Sequence, residues 1–341
     1  MIPYIKVPDL HLGPLPIHPF GILVATGVLV GTALATRRAR RLGFDVYKLN
    51  TFITWMLVAG FIGGHVLDEL FYHWDEAVKH PLSLLTLWTG LSSFGGFIGA
   101  VTGGVLWKFF EYRPPRWYVN MASTRIGAVL QPFVSLIILV LFPFFTHRRA
   151  TSQPILPFAD LILSVFPVAW IFGRSGCSVV HDHPGARASA DALLAVSYPL
   201  PGREAFEPMV KVGPIELIHG GFPRYDLGLL ELMFTVILAA CFALTWRRRL
   251  PTGTYVVVAA FAYAPVRFVM DFLRLPELEG GDTRYATLTP AQWSCTALFC
   301  LGLAVLIHMR SLSKRGIDPA DRLKSTDPEH AVDAKASALE A

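Results

Sequence analysis

The sequence predicts an all-α membrane protein with about seven transmembrane helices, a small periplasmic arm and an apolar insertion on the cytoplasmic side. Three observations carry that prediction. Hydrophobic residues make up 53% of the 341-residue chain and charged residues only 16%, too little charge to cover a soluble domain of this size. The mean hydropathy is positive, at +0.48. The apolar residues fall in runs of roughly twenty, long enough for a helix to cross a hydrocarbon layer about 30 Å thick.

In chain order the runs are 20–36, 50–71, 91–110, 155–173, 227–246, 253–273 and 290–308. Small residues recur inside them, as at Gly27 and Gly31, Gly60, Gly63 and Gly64, and Gly95, Gly96 and Gly99. Such spacing lets helices approach closely in lipid. The first run precedes the cluster Arg37, Arg38, Arg40 and Arg41 instead of following a basic segment, so it reads as a span and not as a cleaved signal.

Orientation follows from the basic loops. Arg37–Arg41 with Lys48, then Arg247–Arg249, then Arg310, Lys314 and Arg315 mark three cytoplasmic regions. The N-terminus is then periplasmic and the C-terminus cytoplasmic. Residues 1–310 form the seven-helix transmembrane domain, with 174–226 as the periplasmic arm and 111–153 as the cytoplasmic-side insertion. Within the insertion, 126–146 is apolar enough to span, but it holds Pro132 and Pro143 and has basic residues on both flanks. It reads as interfacial or re-entrant, with a full eighth helix as the alternative. Residues 311–341 are polar and alanine-rich and read as a disordered cytoplasmic tail.

The net charge of +5 is spread over short loops without a continuous basic face, which argues against a nucleic-acid partner. The four cysteines, Cys177, Cys241, Cys295 and Cys300, contain no CxxC pair and suggest neither a zinc site nor a disulfide framework.

Ionisable groups at membrane depth are functional candidates. GRSGCSVVHDHPGAR, residues 173–187, packs Arg174, His181, Asp182, His183 and Arg187 into one stretch. Arginine presents a donor fork suited to phosphate oxygens, and His with Asp handles protons near neutral pH. A two-histidine metal site lacks an evident third ligand, so no metal is expected. Arg267 and Asp271, four apart on one helix, share a face within ion-pair reach. In LSSFGGFIG, residues 91–99, Ser92, Ser93 and the amides around Gly95 and Gly96 open a helix whose N-terminus suits an anion. Glu231 lies near the start of the fifth helix, after Arg224, Tyr225 and Asp226.

Together these segments resemble the prolipoprotein diacylglyceryl transferase family. IHPFG (17–21) with LATRRARR resembles its first helix, with an H-x-Y-G entry, and LSSFGGFIG resembles M-S-F-H-G-G-x-I-G. FGRSGC…HDHPGAR resembles G-R-x-G-N-x-x-N-x-E-x-x-G, PRYDLGLLE (223–231) resembles R-H-P-x-Q-L-Y-E, and RFVMDFLRLPE (267–277) resembles R-F-x-x-E-x-x-R-x-P-D. The resemblance covers roughly 1–110 and 154–310. It implies an enzyme of the bacterial inner membrane that moves the diacylglyceryl group of phosphatidylglycerol to the thiol of a lipobox cysteine. Its partners are then phosphatidylglycerol, a prolipoprotein lipobox peptide and membrane lipid, with no cofactor. Arg174, His181, Asp182, His183, Arg267 and Asp271 become candidate catalytic residues. Ser93, Gly95, Gly96, Gly185 and Glu231 become candidate substrate-binding residues.

The chain departs from the pattern at several positions. Phe20 stands for the family's Tyr and Phe94 for its His. Cys177 and Val180 replace two Asn, Asp182 and Asp271 each replace Glu, and Tyr225-Asp226 replaces His-Pro. His181 or His183 is then the replacement base. A non-catalytic paralogue that binds anionic phospholipid or lipoprotein precursors is the second reading, and a transporter the third.

Orientation is testable in intact cells with single-cysteine variants in a cysteine-free background. Position 200 should react with an impermeant thiol reagent and position 248 should not; labelling at 248 would invert the scheme.

Overall fold

The computed structural model describes residues 1–324 except 13–14, 82–83, 85–91, 113–145, 200–208, 220, 276–280 and 282–283. The chain divides into two compact units, one holding Met1–Arg38 and Ala159–Asp318, the other Ala39–Phe158 and residues from Pro319.

Chain order begins with strands β1 (Ile2–Lys6), β2 (Leu10–Leu12) and β3 (Leu15–Ile17), then helix α1 (Pro19–Leu42). Helices α2 (Val46–Tyr72), α3 (Trp74–Lys79) and α4 (Ser93–Phe109) follow. Strands β4 (Phe110–Tyr112) and β5 (Thr146–Arg148) precede α5 (Leu156–Val180). The arm supplies β6 (Pro184–Arg187), β7 (Ala195–Tyr198), β8 (Met209–Val212), β9 (Ile215–Ile218) and β10 (Phe222–Asp226). Helices α6 (Leu227–Leu244), α7 (Thr254–Met270) and α8 (Pro290–Lys314) complete the order.

Six of the described helices are long and apolar enough to cross a membrane, and the chain is a multi-pass membrane protein. The third expected span, 91–110, is α4, which has only 17 residues and a length of about 25 Å at 1.5 Å per residue. Seven spans of full length are therefore not counted among the described residues. Large apolar side chains such as Leu29, Val101, Ile237 and Ile307 stand exposed on these helices, as they do where lipid replaces water.

In the second unit α2 and α4 meet through glycine. A Cβ on Gly99 would sit 2.1 Å from the Ala59 carbonyl oxygen, one on Gly103 2.3 Å from that of Trp55, and one on Gly95 2.4 Å from that of Gly63. The four-residue spacing puts all three on one face, so the backbones touch. Beneath them Phe52, Trp107 and Phe158 pack ring on ring. Arg149 closes this unit: its Nε donates to the carbonyls of Trp107 and Phe110 at 3.1 and 3.0 Å, and its Nη1 pairs with Glu111 at 3.2 Å. Strands β4 and β5 pair antiparallel, Phe110 against Arg148. The apolar stretch 126–146 lies outside the described residues.

The tail is ordered further than its composition predicts. Helix α8 runs to Lys314, and Pro319–Leu323 forms a 3-10 turn with Leu323 fully buried. The Leu323 carbonyl accepts the Asp45 amide at 2.9 Å. That bond connects residues nearly three hundred apart, which local composition does not register.

In the first unit, a six-stranded sheet has the order β6-β10-β7-β1-β9-β8. Strand β1 lies parallel to β7 and antiparallel to β9, so the arm incorporates the N-terminus and is not made of 174–226 alone. Helix α1 approaches α5 at glycine again, since a Cβ on Gly27 would meet the Ala169 carbonyl oxygen at 2.7 Å.

Replacing Gly99 with Val should destabilise the protein by about 1–3 kcal/mol or more through overpacking. Gly21→Ala, where nothing lies within 4 Å, should leave the melting temperature unchanged or slightly raised. Thermal unfolding in detergent compares the two.

Candidate active site

Helix α6 starts at Leu227, capped by Asp226, whose Oδ1 accepts the Leu229 amide at 2.9 Å. One turn later Glu231 is buried, with 2% of its surface exposed. A carboxylate there needs partners, and it has four. Oε1 takes Arg174 Nε of α5 at 2.9 Å, Trp170 Nε1 at 3.4 Å and the Tyr263 hydroxyl. Oε2 faces Arg267 Nε of α7 at 3.3 Å. Arg174 Nε makes no hydrogen bond of good angle, so its contact with Glu231 is charge pairing. The Arg174 guanidinium also lies over the Trp170 ring, 4.5 Å from its centroid.

Arg267 continues the network. Its Nη1 donates to Asp271 Oδ1 at 2.7 Å, the i to i+4 pair predicted from spacing. Asp271 is fully buried; it also pairs in charge with Arg274 Nε at 3.2 Å and accepts the Thr289 hydroxyl. Thr289 in turn caps α8 in a capping box with Gln292. Three guanidiniums thus meet two carboxylates in one buried network. Both arginines approach Glu231 through Nε, while Nη1 of Arg267 holds Asp271 and Nη1 of Arg174 faces Cys177, so Nη2 of each is the donor turned to neither carboxylate. Glu231, expected from the sequence as a substrate-binding residue, has both oxygens engaged in holding the arginines and the Trp170 and Tyr263 side chains.

The three candidates after Arg174 separate. His181 ends α5 in the left-handed region, at φ 50. Its ring stacks on Tyr4 at 3.8 Å, Nδ1 meets Asp226 Oδ2 at 2.5 Å, and Nε2 faces the Ile5 backbone at 3.2 Å. With both nitrogens engaged and the ring buried, His181 pins β1 to the arm and does not provide the replacement base. Tyr198 donates to the same Asp226 oxygen at 3.0 Å. Burial and that carboxylate push its phenol well above the ordinary range, so it remains a donor. Asp182 and His183 turn the other way, toward the end of α5, and contact each other. Their ligand atoms and Cys177 Sγ all lie within 4.8 Å of one another, and Cys177 Sγ is 3.7 Å from Arg174 Nη1.

The remaining candidates pack. Ser92, not Ser93, caps α4: its Oγ accepts the Gly95 amide at 3.4 Å and its carbonyl accepts the Gly96 amide at 2.9 Å. Those amides are thus not open to an anion, and Gly95 serves the α2 contact. Ser93 is exposed at the helix start. Gly185 is needed where β6 crosses β10, because a Cβ would meet the Tyr225 and Leu273 carbonyl oxygens at 2.7 and 2.9 Å.

Sequence comparison shows the same pattern over nearly the whole chain. The sequence pattern of the family described as prolipoprotein diacylglyceryl transferase matches residues 9–130 and 127–308. The chain belongs to the prolipoprotein diacylglyceryl transferase family. A phosphatidylglycerol–prolipoprotein diacylglyceryl transferase of Agrobacterium fabrum is 26% identical over 314 residues, spanning 89% of this chain and 92% of that protein. Its namesake in Nitratidesulfovibrio vulgaris is 23% identical over 317 residues, 92% of this chain and 97% of that protein. One from Acinetobacter baumannii is 24% identical over 306 residues, 88% and 91%.

Within this transferase family the departures acquire surroundings. Phe20 lies against Gly176, where an added Cβ would come 2.8 Å from its ring. Phe94 meets Phe71 edge to face at 6.1 Å. A cavity of about 420 Å³ adjoins Phe20 and is lined by Tyr4, Lys6, Asp9 and His18 among others.

Glu231→Ala should cost about 3–5 kcal/mol, because it leaves the buried Arg174 without its carboxylate and Arg267 with Asp271 alone. A melting temperature close to wild type would show that the arginines do not depend on it.

Proposed function

We propose that this transferase moves the diacylglyceryl group of phosphatidylglycerol to the thiol of a lipobox cysteine in a prolipoprotein. It works in the bacterial inner membrane, with the N-terminus periplasmic and the C-terminus cytoplasmic. The observation that carries this reading is the buried pair Arg174 and Arg267, brought together from two helices by one carboxylate.

The chemistry follows from that pair. The phosphodiester of the donor lipid sits between the guanidiniums of Arg174 and Arg267. The acceptor sulfur attacks the glyceryl carbon, a C–S bond forms, and the C–O bond to phosphate breaks with its electrons leaving on oxygen. Glycerol phosphate departs one negative charge richer than the bound diester, and the arginines stabilise that gain. Glu231 and Asp271 act as positioning residues, since fixed guanidiniums need no reorganisation at the moment of reaction. Asp182 and His183, joined to Arg174 through Cys177, are the groups placed to manage the thiol.

A non-catalytic lipid-binding paralogue is the second reading. It is favoured by Phe94, which puts a packed ring where the family has His.

Purified protein, phosphatidylglycerol and a lipobox peptide provide the test, with glycerol phosphate release as readout. Wild type should release it. Arg174→Ala and Arg267→Ala should each lose about 10²–10³ in rate, the cost of removing one donor to developing charge. Lipid binding without release in the wild type would select the paralogue; no lipid binding would remove both readings.

A further inference from the structure

We propose that Cys177, Asp182 and His183 form a divalent cation site of the zinc type, whose open position takes the acceptor thiol. This rests on the transfer reading above and names how the thiol is held.

The three side chains offer one sulfur, one oxygen and one nitrogen, all within 4.8 Å of one another. Around a tetrahedral zinc, bond lengths of about 2.0–2.3 Å put ligand atoms about 3.3–3.8 Å apart. The three atoms thus lie at most about 1 Å beyond the spacing that a zinc ion needs. Three protein ligands with a vacant fourth position is the pattern of catalytic zinc, and a thiolate with a carboxylate matches the charge of a divalent ion. Softness at sulfur and nitrogen disfavours magnesium and calcium.

The fold builds this grouping. Cys177 occupies the last turn of α5, and Asp182 and His183 follow it by only five and six residues. They face it because the chain reverses at His181, in the left-handed region. His181 is itself clamped by Tyr4, Asp226 and the Ile5 backbone. The burial is graded: Cys177 is buried, and the side chains of His183 and Asp182 are 18% and 38% exposed. An ion held there is open on one side.

Position supplies the functional argument. Cys177 Sγ lies 3.7 Å from Arg174 Nη1, so an acceptor thiol on the ion stands beside the phosphate cradle. On coordination the thiol gives its proton to water and binds as thiolate. The sulfur then attacks the glyceryl carbon, and the phosphate leaves with the C–O electrons; the metal does not change oxidation state. This supplies the nucleophile in a chain that has Phe94 where its family has His.

The test uses the full chain in detergent, stripped with a chelator and titrated with Co²⁺, with Zn²⁺ as competitor. One equivalent should bind, with a sulfur-to-cobalt charge-transfer band that Zn²⁺ displaces. Cys177→Ser should lose the band, and His183→Ala, on the exposed side of the turn, should weaken binding at least about tenfold. Helix content by circular dichroism checks that both variants fold. A lipobox peptide should shift the cobalt bands, and its Cys-to-Ser analogue should not. No saturable equivalent, an unchanged band in folded Cys177→Ser, or identical spectra with the two peptides would each overturn the proposal. So would full-rate glycerol phosphate release by the stripped protein. An intact, peptide-responsive cobalt site without any release would overturn the transfer reading alone.

Discussion

A carboxylate shared by two guanidiniums inside an apolar bundle is the constraint on which the polar interior turns. Each charge alone would be expensive at that depth. Glu231 spreads one negative charge over Arg174 of α5 and Arg267 of α7, and so ties α6 to both. Asp271 and Thr289 extend the tie to the start of α8. Arg174, Glu231, Arg267 and Asp271 are each held by at least two neighbours, which fixes the network in place.

The legible parts of the fold were those written within one element. Runs of twenty apolar residues announced the spans, and the i to i+4 spacing announced the Arg267–Asp271 pair. Family-like motifs placed Arg174 and Arg267 in one site although more than ninety residues separate them. What stayed hidden depended on how faces turn toward one another. Glu231 read as an isolated residue near a helix start, because nothing local shows that two arginines converge on it. Strand β1 was invisible for the same reason: its partners, β7 and β9, lie about two hundred residues away. Ser93 and Ser92 could not be told apart by pattern, since the cap is decided by backbone geometry.

The three-residue cluster His181-Asp182-His183 shows how adjacency in sequence divides in space. The left-handed turn at His181 sends its ring toward the N-terminal strand, while Asp182 and His183 fold back on Cys177. One histidine is thereby structural and the other joins the polar centre. The signal that would have found Cys177 was its place one turn from Arg174 on the same helix face.

The short antiparallel ribbon of β4 and β5 has a consequence for how the architecture tolerates change. Phe110 and Arg148 sit side by side, so the chain enters α5 at the level where it left α4. The two ends of the intervening segment are thus pinned side by side, next to the exit of α4. Arg149, by gripping the carbonyls of Trp107 and Phe110, works as the clasp that keeps a change of length between the strands from shifting either end.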